Sequence, residues 1–390
     1  MTFLDEVSRI RILQAIPYFS LRRGGDVGAC VQLSRELARK GHDVTVATTD
    51  FEFDGRLPMD FQGVEVIPFR VVTRIGLFLV TPSMMQWLRE NLDEYDVVHV
   101  HNLQSFQNIL IRRESVARNV PFVLQAHGLD PRSIWMSPTK AAYQVVWGRS
   151  ILESATKTIA LTQRELHEYL EMGVTESKIA VVPNGLDPRE YDHLPNRGVF
   201  RRKWNLDSDG SLVLFLGRLH KSKGIGLLID VFSEYAKENL NARLVIAGPD
   251  YGYLAAAVRR CSLRGISARV LFPGPLYGDE KLSAIVDADL FVIPSEYEGF
   301  PMTALESWAC GTPILATKTS GLGEIGPGAA LVVENKIGDL LSGMRRLMHD
   351  YEAREGLSSE GRHLALTHFS IREVVDRVEA IYSEIRSRNQ

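Results

Sequence analysis

The sequence predicts an α/β fold made of two Rossmann-like, doubly wound domains with a cleft between them. Its 390 residues exceed the size at which a single hydrophobic core stops growing, about 250 to 300 residues. Short β-branched runs alternate with amphipathic helical segments, which is the pattern of βαβ units and parallel sheets. The alternation is interrupted once, near Pro183, and then resumes.

The first half of the chain alternates between strands and helices up to Pro183. Cys30, Leu33 and Leu37 form one apolar face of a helix that ends at Gly41, a residue suited to a C-terminal cap. The predicted strands of this half are 10–16, 44–47, 97–100, 122–124, 158–161 and 179–182.

The turn-rich segment 184–195 predicts a linker, after which the same pattern restarts. A helix over 370–386 has one apolar face and needs an apolar groove to cover it. We therefore expect domains at 1–187 and 188–366, with residues 367–390 crossing back to the first domain. The predicted strands of the second half are 212–216, 244–247, 270–272, 290–293 and 314–316.

Composition and charge exclude several classes of protein. Hydrophobic residues make up 45% and charged residues 24%, so the chain is neither disordered nor fibrous. The net charge of −3 gives no basic field, which argues against nucleic acid as a partner. Cys30, Cys261 and Cys310 are odd in number and lack the spacing of a zinc site or a disulfide framework. A reducing, cytoplasmic location is expected.

The sequence has no apolar run of the length that crosses a bilayer, about 18 residues. Its first residues are acidic where a signal peptide would be basic. Segment 69–92 leaves two interpretations open, because it mixes Arg70 and Arg74 with large apolar residues. It is either ordinary strand and helix core or a peripheral contact with the inner face of a membrane.

The most informative motif runs from Ser295 to Gly311 and follows a predicted buried strand. Pro301 suits the first helical position and Gly311 the C-terminal cap, which predicts a helix of about ten residues between them. The free N–H groups at the start of this helix would form an anion site. They would lie where open parallel sheets bind ligands, beyond the carboxyl ends of the strands.

Two carboxylates and two cations are expected around this helix start. Glu298 lies in the turn, and Glu306 lies in the helix with its side chain leaning back toward the N-terminus. Carboxylates repel phosphate, so both are expected to bind neutral hydroxyl groups, such as those of a sugar and a ribose. Arg218 and Lys223 follow strand 212–216 and would offset the roughly two negative charges of a diphosphate without a metal ion.

Together these residues resemble the motifs of the retaining GT-B glycosyltransferases of family 4. The resemblance rests on the pair Glu298 and Glu306, the Gly-Arg…Lys-Gly segment 217–224, the segment 183–187 and Gly24-Gly25, and it covers almost the whole chain. It implies that Glu298 contacts hydroxyls of the donor sugar and that Glu306 binds the nucleotide ribose. It also implies that the cations of segment 217–224 hold the diphosphate.

The same resemblance assigns further residues. It places backbone N–H groups around Phe300, Met302 and Thr303 against sugar and phosphate oxygens, and it places His127 beside the donor sugar as a second catalytic residue. Gly25 is expected to let the backbone of the first domain approach the donor phosphates. Many relatives have Phe-Gly where this chain has Phe300-Pro301, so we expect the local donor geometry to differ.

The resemblance implies a metal-independent hexosyltransferase that needs no cofactor. It would move a sugar from a nucleoside diphosphate sugar to an acceptor hydroxyl with retention, as in polysaccharide biosynthesis. The acceptor, which is a glycan, a lipid-linked molecule or a small molecule, would bind to domain 1–187 and the donor to domain 188–366. The alternatives are a sugar phosphorylase or nucleotide-sugar epimerase on the same fold, and a non-catalytic nucleotide-binding module.

Three further motifs have competing interpretations. Asp50 imitates the ribose ligand of a dinucleotide-dependent oxidoreductase, but segment 24–28 lacks the Gly-x-Gly-x-x-Gly pattern. Asp287-Ala288-Asp289 imitates an Asp-x-Asp metal motif, but its place before a buried strand predicts a structural role. His99 and His101 share one strand face without a third ligand, so we expect them to line the cleft or contact the acceptor.

Overall fold

The computed structural model describes residues 9–20, 23, 25–53, 55 and 61–389. The chain divides into two compact units. The first unit comprises the chain up to Gly185 together with Ile371 to the C-terminus, and the second runs from Leu186 to Ser370. Gly24, part of the Gly24-Gly25 motif, lies outside the described residues.

The first unit is a parallel sheet with helices on both faces. Its strands are β1 (Arg11–Ala15), β2 (Asp43–Thr49), β3 (Val64–Phe69), β4 (Thr73–Ile75), β5 (Phe78–Val80), β6 (Val97–His101), β7 (Phe122–Gln125), β8 (Lys157–Ala160) and β9 (Ile179–Val181). Its first helices are α1 (Gly25–Arg39), α2 (Pro82–Asn91), α3 (Phe106–Arg118), α4 (Pro131–Met136), α5 (Pro138–Tyr143), α6 (Arg149–Ser154) and α7 (Gln163–Glu171), and a π-helix (Gln144–Gly148) joins α5 to α6.

The strand order of this sheet is β3-β2-β1-β6-β7-β8-β9, and its pairs are parallel. The order reverses between β1 and β6, so their carboxyl ends form the switch point at which open α/β sheets bind ligands. β4 and β5 form a separate antiparallel hairpin. Gln14, His99 and His101 are polar side chains in β1 and β6, yet each is fully buried.

The second unit repeats this architecture. Its strands are β10 (Leu212–Leu216), β11 (Arg243–Ala247), β12 (Val270–Leu271), β13 (Leu290–Ile293), β14 (Ile314–Thr317) and β15 (Leu331–Val333). Its helices are α8 (Val199–Lys203), α9 (Ile225–Glu238), α10 (Leu254–Leu263), α11 (Gly278–Asp287), α12 (Met302–Ala309), α13 (Leu322–Ile325), α14 (Ile337–His349) and α15 (Tyr351–Leu366). The strand order is β12-β11-β10-β13-β14-β15, all parallel, and it reverses between β10 and β13.

The last helix, α16 (Ile371–Asn389), packs on the first unit. Its buried residues Val375 and Val378 belong to one apolar cluster with Ile12 of β1 and Leu37 of α1. The apolar face that the sequence pattern contains is therefore covered by the sheet and by α1.

The predicted α/β elements are largely confirmed, and β10 and β13 have the predicted bounds. The sequence analysis missed β3, the β4–β5 hairpin and β15. Segment 69–92 has a buried part and an exposed part, and the membrane contact stays a prediction. Met84 and Leu88 of α2 are fully buried in the core, whereas Ile75 and Leu77 of the hairpin are exposed. Within the described part of the chain, no helix is long and apolar enough to cross a membrane.

Candidate functional site

The loops after β10 and β13 lie against each other because these strands are neighbours. Gly224 has a left-handed backbone, with φ of +67°, and a Cβ there would lie 1.8 Å from the carbonyl oxygen of Pro294. The amide of Glu296 donates a hydrogen bond of 2.9 Å to the carbonyl oxygen of Ser222. The glycine thus permits a close approach that brings the side chains of the two loops together.

Glu298 is held from two sides at this point. The Lys223 ammonium binds its Oε2 at 2.6 Å, and the Ser295 hydroxyl donates to its Oε1 at 2.6 Å. The Lys223 and Glu298 side chains are only 14% and 13% exposed. The carbonyl oxygen of Ser295 accepts hydrogen bonds from the hydroxyls of Thr317 and Thr319, each 2.7 Å long. In this structure Lys223, predicted as a diphosphate ligand, neutralises Glu298.

Glu306 has its own lysine. The Lys281 ammonium on α11 binds Glu306 Oε1 on α12 at 2.7 Å. Burial alone would lower the pKa of Lys281, but the Glu306 carboxylate outweighs it and raises that pKa above its ordinary value. Lys281 therefore stays charged and holds the Glu306 carboxylate in place. The sequence analysis missed it because its partner is 25 residues away along the chain.

The helix start differs from the prediction. Pro301 is the N-cap, with ψ of 92°, rather than the first helical residue, and α12 spans eight residues instead of about ten. Its extended ψ places Pro301 before the helix, where its missing N–H is no loss. Met302 and Thr303 supply the N–H groups of the first turn, which have no acceptor within the helix. The Phe300 ring packs on Phe369 at 5.9 Å between centroids, and the predicted ligand contact of its backbone stays a prediction.

Arg218 is an exposed cation directly after β10. Its guanidinium lies 5.3 Å from the centroid of the Tyr251 ring. Among the residues that the structure describes, it has no carboxylate partner. Since Lys223 and Lys281 are each matched by a glutamate, Arg218 is the unmatched cation among these five residues. The sequence analysis expected both Arg218 and Lys223 to be available to a diphosphate, whereas in this structure Lys223 is bound to Glu298.

Asp287 and Asp289 are structural, as predicted. Asp287 accepts hydrogen bonds from the amides of Gly198 and Arg201, the second at 2.9 Å. Asp289 accepts from the Arg201 guanidinium at 2.9 Å and from the Leu212 amide at 2.8 Å. Asp287 thus ties the start of α8 to the end of α11, and Asp289 ties α8 to β10. Throughout the described ranges, no group of three or more His, Cys, Asp and Glu side chains is arranged to hold a metal ion.

Three stacked histidine rings occupy the carboxyl ends of β6 and β7 in the first unit. The His99 and His101 rings are 4.5 Å apart and the His101 and His127 rings 5.0 Å apart, measured between centroids. The prediction that His99 and His101 line a cleft or contact an acceptor is wrong, because both are fully buried. They pack instead behind His127. We call His99, His101 and His127 together the histidine column.

Hydrogen bonds fix the protonation pattern of this column. His101 Nε2 lies 2.6 Å from Gln14 Oε1, so with the Gln14 oxygen in that position this nitrogen donates. His101 Nδ1 must then accept, and its partner His127 Nε2, at 2.7 Å, donates. Among the described residues, His127 Nδ1 is buried without a hydrogen-bond partner. His127 therefore presents an acceptor lone pair. Tyr382 of α16 completes the network with a 2.6 Å contact to His99 Nδ1.

The histidine column is neutral. Burial lowers the pKa of His99 to about 3 and that of His127 to about 4, and it lowers the pKa of His101 well below its ordinary value. A neutral His127 accepts hydrogen bonds at neutral pH without acting as a cation.

A buried carboxylate shapes the loop that carries His127. His127 has a left-handed backbone, with φ of +57°. Glu165 Oε1 accepts hydrogen bonds from the amides of Gly128 at 2.8 Å and Leu129 at 3.1 Å. The sequence Thr162-x-x-Glu165 is a capping-box pattern, a signal that could have pointed to this residue. Burial raises the pKa of Glu165 despite these bonds.

Gly25 is the first residue of α1 and is exposed. The carboxylate of its neighbour Asp26 accepts a 3.2 Å hydrogen bond from the Asn102 amide, which follows β6. The start of α1 therefore lies at the same sheet edge as the histidine column. The predicted approach of the Gly25 backbone to phosphate stays a prediction.

The cysteines take no part in this chemistry. Burial raises the pKa of Cys30 and Cys310 to about 12 and that of Cys261 to about 11, so all three stay protonated thiols. All three are free.

Two doubly wound α/β units with polar clusters at their strand switch points are the architecture of the GT-B class of glycosyltransferases. Comparison with known proteins supports this class. Residues 24–190 match the family described as Glycosyltransferase Family 4, and residues 196–364 match the family described as Glycosyl transferases group 1. The chain belongs to this family of glycosyltransferases, which confirms the predicted family, fold class and transferase class.

Individual relatives are similar over most of their length. An uncharacterized glycosyltransferase of Methanocaldococcus jannaschii is 29% identical over 318 residues, which cover 77% of this chain and 78% of that protein. Mannosylfructose-phosphate synthase of Agrobacterium fabrum is 28% identical over 337 residues, covering 77% and 72%. The crystal structure of Anabaena HepE in complex with UDP-glucose has a TM-score of 0.82 at 18% identity and covers 96% of this chain and 100% of that chain, which shows the shared fold.

Proposed function

We propose that this chain transfers a glycosyl group from a nucleoside diphosphate sugar to an acceptor hydroxyl, with retention and without a metal ion. The observation that carries the proposal is the pairing of Glu298 and Glu306 with lysines beside the start of α12. HepE, which shares the fold, was crystallised with UDP-glucose, and this supports a donor of the same chemical class.

In this proposal the donor breaks the ion pair between Lys223 and Glu298. A diphosphate competes for the Lys223 ammonium and for Arg218, because both are cations at the end of β10. Once released, Glu298 has an oxygen available to accept hydrogen bonds from sugar hydroxyls, while the Ser295 hydroxyl keeps its other oxygen in place. The pair itself is thus neutral before the donor binds, and it exchanges partners on binding.

The second pair is proposed to act on the ribose. The Glu306 carboxylate has two oxygens, and Lys281 occupies Oε1. Oε2 is then the acceptor for ribose hydroxyls, a contact that does not change during the reaction. The N–H groups of Met302 and Thr303 point to where phosphate oxygens would lie at the helix start.

The proposed reaction breaks the bond between the anomeric carbon and the diphosphate oxygen. The acceptor oxygen forms its bond to that carbon on the same face, and its proton passes to the departing phosphate oxygen. Arg218, Lys223 and the α12 amides stabilise the negative charge that develops on the diphosphate. His127 keeps the role that the family resemblance implies, a contact with the donor sugar, and its neutral state makes it a hydrogen-bond acceptor.

The donor is found first by thermal shift with a panel of nucleotide sugars, because a ligand at a hundred times its Kd adds about 2.7 kcal/mol of stability. Proton NMR of the product then reports the anomeric configuration. A glycoside with the configuration of the donor supports the proposal, whereas an inverted product contradicts retention. A sugar phosphate or an epimerised donor formed without an acceptor alcohol would indicate the phosphorylase or epimerase alternative.

Metal independence is tested with the same donor. Turnover is expected to survive EDTA, because the cations and helix amides offset the charge of the diphosphate. Loss of turnover in EDTA that magnesium or manganese restores would contradict it.

A further inference from the structure

Two segments of the first unit expose large apolar side chains. Ile75, in the β4–β5 hairpin, is 76% exposed, and Trp135 and Met136, at the end of α4, are 55% and 84% exposed. Clusters of such residues are uncommon on the surface of a protein without a partner. We define the apolar surface by its exposed members Val72, Ile75, Leu77, Trp135, Met136, Val145, Val146 and Trp147.

The two segments are packed together. The Phe78 ring of β5 meets the Tyr143 ring of α5 at 6.1 Å, and Tyr143 meets Trp147 of the π-helix at 5.6 Å, measured between centroids. The Tyr143 hydroxyl donates to the carbonyl oxygen of Ser105 at 2.9 Å, before α3. The hairpin and the 131–149 segment therefore belong to one region of the first unit, which carries these exposed side chains.

Local backbone structure keeps part of this surface exposed. Residues 144–148 form a π-helix, whose wider turn places the consecutive residues Val145, Val146 and Trp147 at the surface. Gly148 completes this turn, since a Cβ there would lie 2.2 Å from Gln144 Oε1. The exposure is thus built into the helix.

The charge of both segments is one-sided. Segments 70–89 and 131–149 contain six Arg and Lys residues and no Asp or Glu, although the chain as a whole has a net charge of −3. The average composition of the chain would give them about five carboxylates. Two of the cations are paired outside the segments, Arg89 with Glu114 and Arg149 with Glu153. The exposed Arg70 and Arg132 remain beside the apolar side chains.

We propose that the apolar surface docks the protein onto an anionic lipid bilayer. The tryptophan, methionine and aliphatic side chains enter the interfacial layer, and the cations contact anionic headgroups. Apolar side chains combined with positive charge complement the apolar interior and the negative headgroups of an anionic bilayer. Membrane docking is independent of the transferase chemistry. It also differs from the contact expected at 69–92, because Met84 and Leu88 of α2 pack in the core and the second half of the surface comes from 131–149.

The test is co-sedimentation of the full chain with vesicles of phosphatidylcholine alone and with vesicles of equal parts phosphatidylcholine and phosphatidylglycerol. The wild type is expected to bind the anionic vesicles, and binding weakens as salt rises. Trp135→Ser with Met136→Ser lowers the partition coefficient by at least about tenfold. Arg70→Gln with Arg132→Gln lowers it by about fivefold for each cation removed.

The matched control is Leu240→Ser with Leu263→Ser, which removes two leucines of the second unit that are 69% and 76% exposed. It is expected to leave partitioning unchanged, and thermal melts verify that all variants fold. Failure of the wild type to bind anionic vesicles overturns the proposal. The proposal is also overturned if the control variant loses as much vesicle binding as Trp135→Ser with Met136→Ser. A wild-type dimer that Trp135→Ser with Met136→Ser converts to a monomer, without an effect on vesicles, would show that a second copy covers the surface.

Discussion

The switch points of the two sheets carry polar clusters of opposite character. In the first unit, His99, His101 and His127 are neutral and stacked, the first two are fully buried and His127 is half-buried, and their hydrogen bonds run through Gln14 to Tyr382. In the second unit, the cluster consists of charged pairs, each of one glutamate and one lysine, that retain some solvent exposure.

The difference indicates what each cluster can do. A neutral, largely buried network has one preferred arrangement, because each change leaves a buried polar atom unpaired. It is suited to holding His127 in one tautomer. An ion pair exchanges partners when an incoming ligand supplies a charge that replaces the lost one. It is suited to a site where a charged ligand enters and leaves.

The largest expected effect is acid destabilisation through the histidine column. The native pKa of each histidine is lowered from about 6.5, and for His127 it is about 4. Below pH 6.5 the unfolded chain therefore binds protons that the native state does not, and stability is lost as the pH falls. Each histidine contributes up to about 1.4 kcal/mol per pH unit in this window. Chemical denaturation at a series of pH values measures the slope.

The variant His99→Phe keeps a ring in the column and removes one titrating group. Its slope between pH 6.5 and 4 is expected to be smaller by about 1.4 kcal/mol per pH unit. The exposed His193→Phe is the control for the substitution itself. A slope that His99→Phe leaves unchanged would show that the column is not neutral in the native state.

The next effect concerns the hydrogen bonds of the column. His101→Phe preserves stacking but leaves the His127 Nε2 donor and Gln14 Oε1 without their partner. Each buried group left unpaired costs about 1 to 3 kcal/mol, so the loss of both partners is expected to lower the free energy of unfolding at pH 7 by about 2 to 6 kcal/mol. Urea denaturation measures it. If the variant were as stable as the wild type, the tautomer assigned to His127 would lose its support.

A smaller loss of stability is expected when Lys281 is substituted, because its ion pair is more exposed than the histidine column. Lys281→Gln removes the charge that holds Glu306, and the pair is partly exposed, so the cost is about 1 kcal/mol. Donor KM is expected to rise about fivefold with kcat unchanged. Lys237→Gln is the control, since that lysine pairs with Glu234 on an exposed helix face. A fall in kcat instead of a rise in KM would place Glu306 against the reacting sugar.

The sequence predicted the architecture well because it depends on local periodicity. β10 and β13 stand at their predicted bounds, and the structural role of Asp287 and Asp289 was inferred from their place before a strand. The partners of the site residues were not predictable. Lys281 and Gln14 meet their partners across 25 and 87 residues of chain, so no spacing rule connects them.

The sequence analysis missed the exposed β4–β5 hairpin for a different reason. β4 and β5 are three residues each, too short for an alternating pattern, and the apolar character of Ile75 suggested core as readily as surface. The roles of Gly25, Arg218, Lys223 and the backbone of residues 300–303 stay predictions until a donor is bound.

The most direct test of the account compares Glu298→Gln with Glu306→Gln using the same donor. The sugar changes in the transition state and the ribose does not, so Glu298→Gln is expected to lower kcat and Glu306→Gln to raise donor KM. Loss of a charge-assisted hydrogen bond costs about 1.5 to 3 kcal/mol, or roughly ten- to a hundredfold in either constant. The exposed Glu296→Gln in the same loop is the control and is expected to be neutral. If neither substitution changed kcat or KM by more than about threefold, the donor site would lie elsewhere and the account would be contradicted.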